Sequence, residues 1–353
     1  MRQIIYVFDQ IVNDSLSKVR GVGRYLQILK ENFPKNTVFT DNIRQIAADS
    51  VFINPFFNFL QTPITLKRIA NKQIAVIHDL IPLKYPEHFP VGIKGKLNIF
   101  LNKLALKNYD LIVTDSEASK IDIINILYID EEKIKVIYPC LPKKFEVRGL
   151  RLEEKKIKTS NIKLPTSYCL YVGDATWNKN LVNLAKAIKI INVTCVFIGN
   201  VFNPLTRERV NELTSYNQWL EEFKQFLYET KSDKRFIFLG YVSDDKLIQL
   251  YRQAKCNILV SRDEGFGFSY LEAASQSCPS VLSDIQVLRE VSKKQGALLA
   301  NPADPNEIAN AIGAVYFNIE LRNKLSAEAK DRVRLFSPKK FVNEFNKVLN
   351  FNI

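Results

Sequence analysis

Short apolar runs alternate with longer amphipathic stretches along the first half of the chain. The apolar runs predict five strands, at 3–9, 50–53, 73–78, 110–114 and 134–137. The amphipathic stretches between them predict helices, among them 24–32, 95–108 and 117–127. The strand-like runs are almost continuously apolar, which is typical of strands covered on both faces of a parallel sheet.

The second half repeats this alternation. Its predicted strands are 168–173, 194–199, 235–240, 256–260 and 280–283. Its predicted helices are 180–190, 207–229, 244–254 and 268–276. Strand and helix alternating at this spacing predict an α/β protein with two doubly wound, Rossmann-like domains.

The segment 142–166 interrupts the pattern, because it is rich in Lys and Glu, poor in bulky apolar residues and bounded by prolines. We interpret it as the domain boundary and predict one domain over 1–155 and a second over 165–337. A last helix, at 338–350, follows the helix-start signal Ser337-Pro338. Whether the segment 338–353 packs on the N-terminal domain stays open.

Composition limits the class of protein. The 353 residues exceed the ~150 of a typical domain, and 46% hydrophobic with 25% charged residues is ordinary for a globular chain. This excludes disordered, collagen-like and disulfide-scaffold proteins. No run approaches the ~20 apolar residues that a membrane-spanning helix needs. Five cysteines without a CxxC motif indicate a reduced, cytoplasmic chain.

The net charge of +13 concerns partners and not fold. Residues 1–165 hold 26 Lys and Arg against 17 Asp and Glu, so most of the excess lies in the N-terminal half. The absence of a DNA-binding motif and of interleaved aromatic residues argues against nucleic acid. Four lysines (94, 96, 103 and 107) flank the apolar run 97–101. They fit an anionic membrane surface or, equally, a solvated helix face over a core stripe.

Ligands of open α/β sheets bind beyond the carboxyl ends of the strands, so residues after strands are the candidates for chemistry. Gly21 and Gly23 begin a helix and suit a bound anion. His78 ends a predicted strand, where a catalytic and a structural role are about equally expected. Gly173 follows another strand, and Lys179 lies near the next helix start, a pairing that suits a phosphate.

The run 261–274 carries the strongest signal, with two loop glycines between Glu264 and Glu272. On one helix these carboxylates would be ~12 Å apart, beyond the ~5–9.5 Å of a glycoside hydrolase pair. The spacing favours one carboxylate at each end of an elongated ligand. The chain has no Walker A, HExxH or GxSxG motif, and no D-x-D pair at a strand end, so we expect no metal site.

These segments, in order along nearly the whole chain, resemble the retaining glycosyltransferases of family 4, which have the two-domain GT-B fold. The similar segments are Gly21-Val22-Gly23-Arg24-Tyr25, His78-Asp79-Leu80-Ile81-Pro82, Ser116-Glu117-Ala118-Ser119-Lys120, 171–181, 239–247 and the E-x(7)-E signature 264–272. The resemblance implies that the two domains face each other across a central cleft.

The resemblance also implies roles in binding a nucleotide-diphosphate sugar. Glu272 would bind the ribose hydroxyls, Glu264 the donor sugar, and Lys179 the diphosphate. Further donor-binding positions are Gly21, Gly23, Gly173, Gly240, Tyr241, Val242, Arg262, Gly267, Phe268 and Ser269. His78 would lie near the donor sugar and the acceptor, and His78, Glu264 and Lys179 are the predicted catalytic residues.

The chain departs from the family pattern at several positions, among them Ser269 and Ser277, where Pro and Gly are common. Asn178 and Asp174 stand where arginines are frequent, and Arg262 is a candidate to compensate. The departures leave a second hypothesis open, a catalytically silent module that binds a nucleotide sugar or scaffolds a partner. Another GT-B enzyme, such as a nucleotide-sugar epimerase, is a third.

We expect a metal-independent, cofactor-free retaining hexosyltransferase, with GDP-mannose marginally favoured as donor. It would act on a saccharide or lipid-linked saccharide of surface-polysaccharide or lipopolysaccharide biosynthesis. The expected location is cytoplasmic, with a peripheral contact to the inner face of the cell membrane as an option.

Overall fold

The N-terminal part of the chain forms one parallel sheet. The computed structural model describes residues 3–10, 21–146, 164–204 and 218–350. Six strands run in the order β2-β1-β3-β4-β5-β6. They are β1 (Ile5–Phe8), β2 (Thr37–Thr40), β3 (Val51–Asn54), β4 (Lys72–Val76), β5 (Leu111–Thr114) and β6 (Ile134–Val136). Every pairing is parallel, as the near-continuous apolar runs predict.

Helices cover both faces of this sheet. They are α1 (Gly21–Asn32), α2 (Ile81–Lys84), α3 (Gly92–Leu106) and α4 (Glu117–Leu127). One face is filled by the apolar side of α1, with Tyr25, Leu26 and Leu29 fully buried against the strands. The opposite face holds a second apolar cluster around Phe52 and Ile112. A sheet covered on both sides is the layer architecture that the alternation of elements predicts.

The C-terminal part forms a second parallel sheet, ordered β12-β11-β10-β7-β8-β9. Its strands are β7 (Cys169–Val172), β8 (Cys195–Ile198), β9 (Phe236–Gly240), β10 (Cys256–Leu259), β11 (Ser280–Ser283) and β12 (Ala297–Ala300). The helices are α5 (Leu181–Ile191), α6 (Glu221–Thr230), α7 (Asp244–Gln253), α8 (Phe268–Ser275), α9 (Gln286–Ser292), α10 (Pro305–Phe317) and α11 (Ile319–Val333). Two parallel sheets, each between helices, confirm the predicted fold class.

The last helix, α12 (Pro338–Asn350), returns to the N-terminal sheet. Its side chains Phe341, Phe345 and Val348 are buried in the same cluster as α1. Lys72 Nζ donates a 2.7 Å hydrogen bond to the carbonyl of Val348, which ties the helix end to β4. The chain therefore crosses between the sheets twice.

Several elements differ from the sequence prediction. Strands β2 and β12 and helices α2, α9, α10 and α11 were not predicted. Within the predicted helix 207–229, the described residues form α6 from Glu221 onward, and 205–217 lie outside the described residues. Most of the predicted boundary 142–166 also lies outside them, so the domain limits at 155 and 165 stay predictions. Among the described helices, none combines the length and apolar character needed to cross a bilayer.

Candidate active site

The carboxyl ends of the two sheets meet at a cleft between the domains. A loop after β10 (residues 261–267) lies directly on residues that follow β4 and β5. Ser116 Oγ donates a 2.8 Å hydrogen bond to the carbonyl of Gly265. A Cβ atom placed on Gly265 would come within 2.8 Å of the carbonyl of His78, so only a glycine allows this approach. The cleft is closed at this point.

Lys179 and Glu264 form the first ion pair of the cleft. Lys179 Nζ lies 2.6 Å from Glu264 Oε1, which also accepts a 2.6 Å hydrogen bond from Ser261 Oγ. The carboxylate is 9% exposed and the lysine 20%. Burial lowers the pKa of Lys179, but the neighbouring Glu264 carboxylate has the opposite effect. The net pKa of Lys179 lies above its ordinary value. The lysine is therefore a fixed cation beside a carboxylate, as the predicted donor site requires.

Glu272 is the second carboxylate of the signature, in the first turns of α8. It is 4% exposed. One carboxylate oxygen faces Arg24 Nε at 2.9 Å, and the other accepts a 3.1 Å hydrogen bond from the Tyr251 hydroxyl. Burial raises the pKa of Glu272, against the opposing effect of Arg24. Glu272 thus has its acceptor capacity directed into the cleft, toward the N-terminal domain.

Arg24 connects the two domains, and its side-chain contacts were not predicted. Its guanidinium makes a forked pair with Asp244, at 2.9 and 2.7 Å, in addition to its contact with Glu272. The same group lies 4.7 Å from the centre of the Phe145 ring. No local sequence signal links Arg24 to partners about two hundred residues further along the chain. It follows directly on Gly23, so the predicted anion-binding loop also supplies a cation.

His78 lies beside the cleft but is turned toward its own domain. Its Nδ1 is 2.5 Å from Asp115 Oδ2, and its Nε2 is 3.0 Å from the carbonyl of Pro55. The Tyr25 ring packs edge-on, 4.7 Å away. Burial lowers the pKa of His78, and the Asp115 carboxylate raises it to a net value above the ordinary one. Both ring nitrogens face acceptors, so the predicted catalytic role of His78 stays a prediction.

Asp115 was missed, although a sequence signal for it existed. It follows β5 directly, at the same sheet edge as His78. The rule that strand ends deliver functional side chains therefore applies to it as well as to His78. Its carboxylate is 3% exposed and holds the imidazole in one orientation.

The predicted donor-binding loops occupy the expected edge of the second sheet. Gly267 has φ +98° and precedes α8, where a Cβ would meet Leu288 at 2.9 Å. Ser269 is buried, and among the described residues its hydroxyl has no hydrogen-bond partner. Phe268 packs against the apolar clusters of both domains. These residues begin a helix whose first N–H groups are available to an anion.

The other glycines lie on the surrounding turns. Gly240 has φ +68° and leaves no room for a Cβ beside Asn203, whose side-chain oxygen accepts the Tyr241 amide at 3.1 Å. Tyr241 is 56% exposed, and Val242 follows it. Gly173 follows β7 directly, and its amide donates to the carbonyl of Ile198.

Across the cleft, Gly21 and Gly23 form the first turn of α1, with Gly23 buried. Most of the predicted positions therefore lie at the carboxyl ends of the two sheets, where the sheets border the cleft.

The side chains of Asn178 and Arg262 bond to other residues of the C-terminal domain. The Asn178 amide donates to the Asp263 carbonyl at 3.1 Å and accepts from Thr176 Oγ1 at 2.7 Å. The Arg262 guanidinium pairs with Glu222 at 2.7 Å and lies over the Trp177 ring. Compensation by Arg262 therefore requires it to leave Glu222, and its donor-binding role stays a prediction.

The described residues contain no cluster of three or more His, Cys, Asp and Glu side chains that could hold a metal ion. Lys179 faces Glu264 and Arg24 faces Glu272, the two carboxylates of the signature. This arrangement can bind an elongated ligand with a negatively charged centre and hydroxyls at both ends.

Comparison with known proteins identifies the family. The model for glycosyl transferases group 1 matches residues 153–332, just over half of the chain. The chain belongs to this family. The chain is 30% identical over 248 residues to the O-antigen chain mannosyltransferase RfbU of Salmonella typhimurium, covering 70% of this chain and 62% of RfbU. It is 25% identical over 304 residues to the serotype-specific mannosyltransferase WbdA of Escherichia coli, covering 84% of this chain and 36% of WbdA.

Among solved structures, the chain is similar to Anabaena Alr3699/HepE in complex with UDP and glucose. The TM-score is 0.69 at 16% identity, over 98% of this chain and 99% of the other. This likeness confirms the GT-B fold. The chain spans about a third of WbdA and less than two thirds of RfbU.

Proposed function

We propose that the protein transfers a hexose or deoxyhexose from a nucleotide-diphosphate sugar to a saccharide or lipid-linked saccharide, with retention of configuration. The observation that carries this proposal is the cleft itself. A Lys179–Glu264 pair and the buried Glu272 line one wall, and the first turn of α1 with Arg24 lines the other. In this proposal the two carboxylates contact opposite ends of an elongated donor, with its diphosphate between them.

In this proposal the donor lies along the N-terminal end of α8. Glu272 accepts the ribose hydroxyls, and Glu264 contacts the hexose. Because Glu272 faces Arg24 when the cleft is closed, donor entry requires the domains to separate and Arg24 to shift. The N–H groups around Gly267 and Ser269 and the ammonium of Lys179 then face the diphosphate.

Departure of the diphosphate creates positive charge at the anomeric carbon and negative charge on the leaving group. Lys179, the α8 amides and the α1 amides would stabilise the leaving group, an effect of a few kcal/mol per donor. The leaving phosphate would take the acceptor proton on the same face, so neither a protein nucleophile nor a metal is needed. Closure of the cleft keeps water from the activated donor.

The names of the relatives favour mannose. RfbU and WbdA are both mannosyltransferases, and RfbU acts on an O-antigen chain. We therefore propose GDP-mannose as donor and a growing surface polysaccharide or lipopolysaccharide intermediate as acceptor. A lipid-linked acceptor would place this cytoplasmic enzyme at the inner face of the cell membrane as a peripheral protein.

A thermal-shift screen tests the donor. Ligands that bind the folded state raise its melting temperature by mass action. We expect GDP-mannose to raise it most, compared with UDP-glucose and dTDP-rhamnose, and the Glu272→Gln variant to lose the rise. If UDP-glucose or dTDP-rhamnose gave the largest rise, the assignment of GDP-mannose as donor would be wrong. If no nucleotide sugar raised the melting temperature, the proposed transferase function would be wrong.

A silent nucleotide-sugar-binding module is the second candidate, and Asn178 favours it. Its side chain is consumed by contacts to Asp263 and Thr176, so it adds no charge to the donor phosphates. Calorimetric titration and a donor-turnover assay, with acceptor extracts supplied, separate the two. Tight binding without turnover would favour the silent module, whereas release of the nucleoside diphosphate would exclude it.

A further inference from the structure

Helix α3 presents its apolar residues to solvent. Ile93, Leu97, Phe100 and Leu104 are 90%, 55%, 58% and 39% exposed. Their spacing of four, three and four residues places them along one face of the helix. A continuous exposed stripe of large apolar side chains marks an interaction site more often than scattered single residues do.

The opposite face of α3 is buried, with Ala105 and Leu106 in the apolar cluster of this domain and two asparagines held by hydrogen bonds. Asn98 donates to the Leu60 carbonyl at 2.8 Å, and Asn102 donates to the Gln61 carbonyl at 2.7 Å. Both asparagines are buried. These bonds fix the rotation of the helix, because turning the stripe inward would leave the two amides and the loop carbonyls unsatisfied. The outward stripe is therefore a property of the fold.

Lysines flank the stripe. Lys94, Lys96, Lys103 and Lys107 are all exposed, and no acidic residue occurs between Glu87 and Asp110. Within the described parts of the chain, no ion pair engages any of the four. An apolar stripe bordered only by cations is typical of helices that lie in the interface of an anionic bilayer.

We propose that α3 docks the protein on an anionic membrane, with Ile93, Leu97, Phe100 and Leu104 inserted among the acyl chains. The lysines would then contact the lipid phosphates. This rests on the proposed function in one respect, namely that a lipid-linked acceptor gives the docking a purpose. The surface itself is defined by exposure, hydrogen bonding and charge.

The place of α3 in the molecule suits this role. The loop that leads into the helix borders the cleft, where His88 stacks on Trp177 with the ring centres 3.8 Å apart. Trp219 donates a 3.1 Å hydrogen bond to the Pro90 carbonyl, two residues before the helix. A membrane held against α3 therefore lies near one end of the cleft.

A second copy of the chain is a poorer occupant. In a symmetric pair, the same surface patch of both copies meets. The four lysines of each copy would then be brought together without an acidic partner on the helix, and like charges in proximity repel. Charge complementarity therefore favours an anionic surface.

Vesicle co-sedimentation tests the proposal with the full-length protein. We expect binding to phosphatidylcholine vesicles that contain phosphatidylglycerol, and little binding to phosphatidylcholine alone. The double variant Leu97→Glu/Phe100→Glu should bind at least about tenfold more weakly, since it loses inserted apolar area and repels anionic lipid. Lys96→Gln/Lys103→Gln should weaken binding and its dependence on salt.

A matched control is Phe317→Glu at the end of α10, an exposed phenylalanine on the other domain. It should bind vesicles as the wild-type protein does. Binding that ignores anionic lipid, or that survives in the α3 double variant, would overturn the proposal. So would light scattering that shows a wild-type dimer and a monomeric double variant.

The donor thermal shift is measured in parallel, without lipid. The α3 double variant should keep both its melting temperature and its donor response, because the substituted side chains are exposed. A lost donor response with intact vesicle binding would count against the donor assignment only.

Discussion

At the scale of the residue, the cleft depends on charges that are held in fixed positions. Lys179 Nζ is 2.6 Å from Glu264, and the pair is mostly buried. A cation preorganised in this way stabilises negative charge without reorganising when the charge develops. The same preorganisation makes single substitutions informative.

We expect Lys179→Ala to lower the transfer rate by about 100-fold, because one donor to the leaving diphosphate is lost. Lys186→Ala is the matched control, an exposed lysine on α5, and should keep the wild-type rate. The measurement is initial rate with saturating donor and acceptor. A Lys179→Ala enzyme with near-wild-type turnover would exclude the assigned role.

The His78–Asp115 pair predicts a pH dependence of stability. The folded-state pKa of His78 is raised, so the stabilisation from its proton is fully present below the unfolded pKa of about 6.5 and is lost as the pH rises through the folded value. Asp115→Asn removes the carboxylate that raises the pKa. Its deficit in free energy of unfolding should therefore be largest below pH ~6.5 and smaller at higher pH.

Urea unfolding at a series of pH values measures this deficit. Asp130→Asn, which alters an exposed carboxylate of the same domain, should show little deficit at any pH. A deficit for Asp115→Asn that grows with pH would mean that His78 is neutral in the folded protein.

Residue contacts show where prediction from sequence stops. The strand-end rule and the family resemblance predicted that Lys179 and Glu264 gather at one edge, and the structure brings them together. The Arg24 contact with Glu272 joins positions 248 residues apart, and it depends on how two domains meet. No local pattern encodes that geometry.

At the scale of the element, the contact between α9 and α4 connects the domains. One carboxylate oxygen of Glu290 accepts the Glu117 amide at 2.7 Å, and the other accepts the Ala118 amide at 3.0 Å. The Tyr138 hydroxyl donates to the same carboxylate at 2.8 Å. A helix N-terminus leaves such N–H groups without partners in its own helix, and an anion there also suits the helix dipole.

Glu290→Ala should cost about 1–2 kcal/mol in free energy of unfolding, because it removes a cap from a neighbouring domain's helix. Glu320→Ala, an exposed glutamate in the first turn of α11, should cost much less. Urea unfolding followed by circular dichroism measures both. Equal effects of the two substitutions would show that the Glu290 contact does not hold α4.

The two strands missed from sequence share a physical character. β2 and β12 are edge strands of four residues, one at the margin of each sheet. β12 is an Ala-Leu-Leu-Ala run, whose residues favour helix when context is ignored. In α3, which was predicted, the buried face combines Ala105 and Leu106 with Asn98 and Asn102, whose hydrogen bonds to loop carbonyls help to fix the rotation of the helix. The central strands have neither complication and were predicted.

At the scale of the whole molecule, the domains meet through charges of opposite sign. The N-terminal side supplies Arg24, Lys84 and Lys144, and the C-terminal side supplies their carboxylate partners. The positive excess of the N-terminal half therefore includes charges that close the cleft. Salt screens such pairs, more so where they are exposed. Closure should consequently depend on ionic strength through the exposed Lys144–Asp245 pair, and on Arg24, whose side chain is only 18% exposed and is screened less.

The two tryptophans of the chain report this closure, since Trp177 stacks on His88 and Trp219 packs on Phe89 across the domain boundary. Arg24→Ala leaves Glu272 without its cation, at a cost on the order of 3 kcal/mol that separation of the domains relieves through hydration. We expect a red-shifted tryptophan emission in Arg24→Ala, and in the wild-type protein at ~1 M salt. Arg334→Ala is the control, because Arg334 forms an exposed ion pair with Asp331 at the end of α11, within a single domain. It should leave the emission unchanged. An unshifted emission in Arg24→Ala would mean that apolar packing alone keeps the cleft closed, and donor entry would then have to overcome that packing instead of an ion pair.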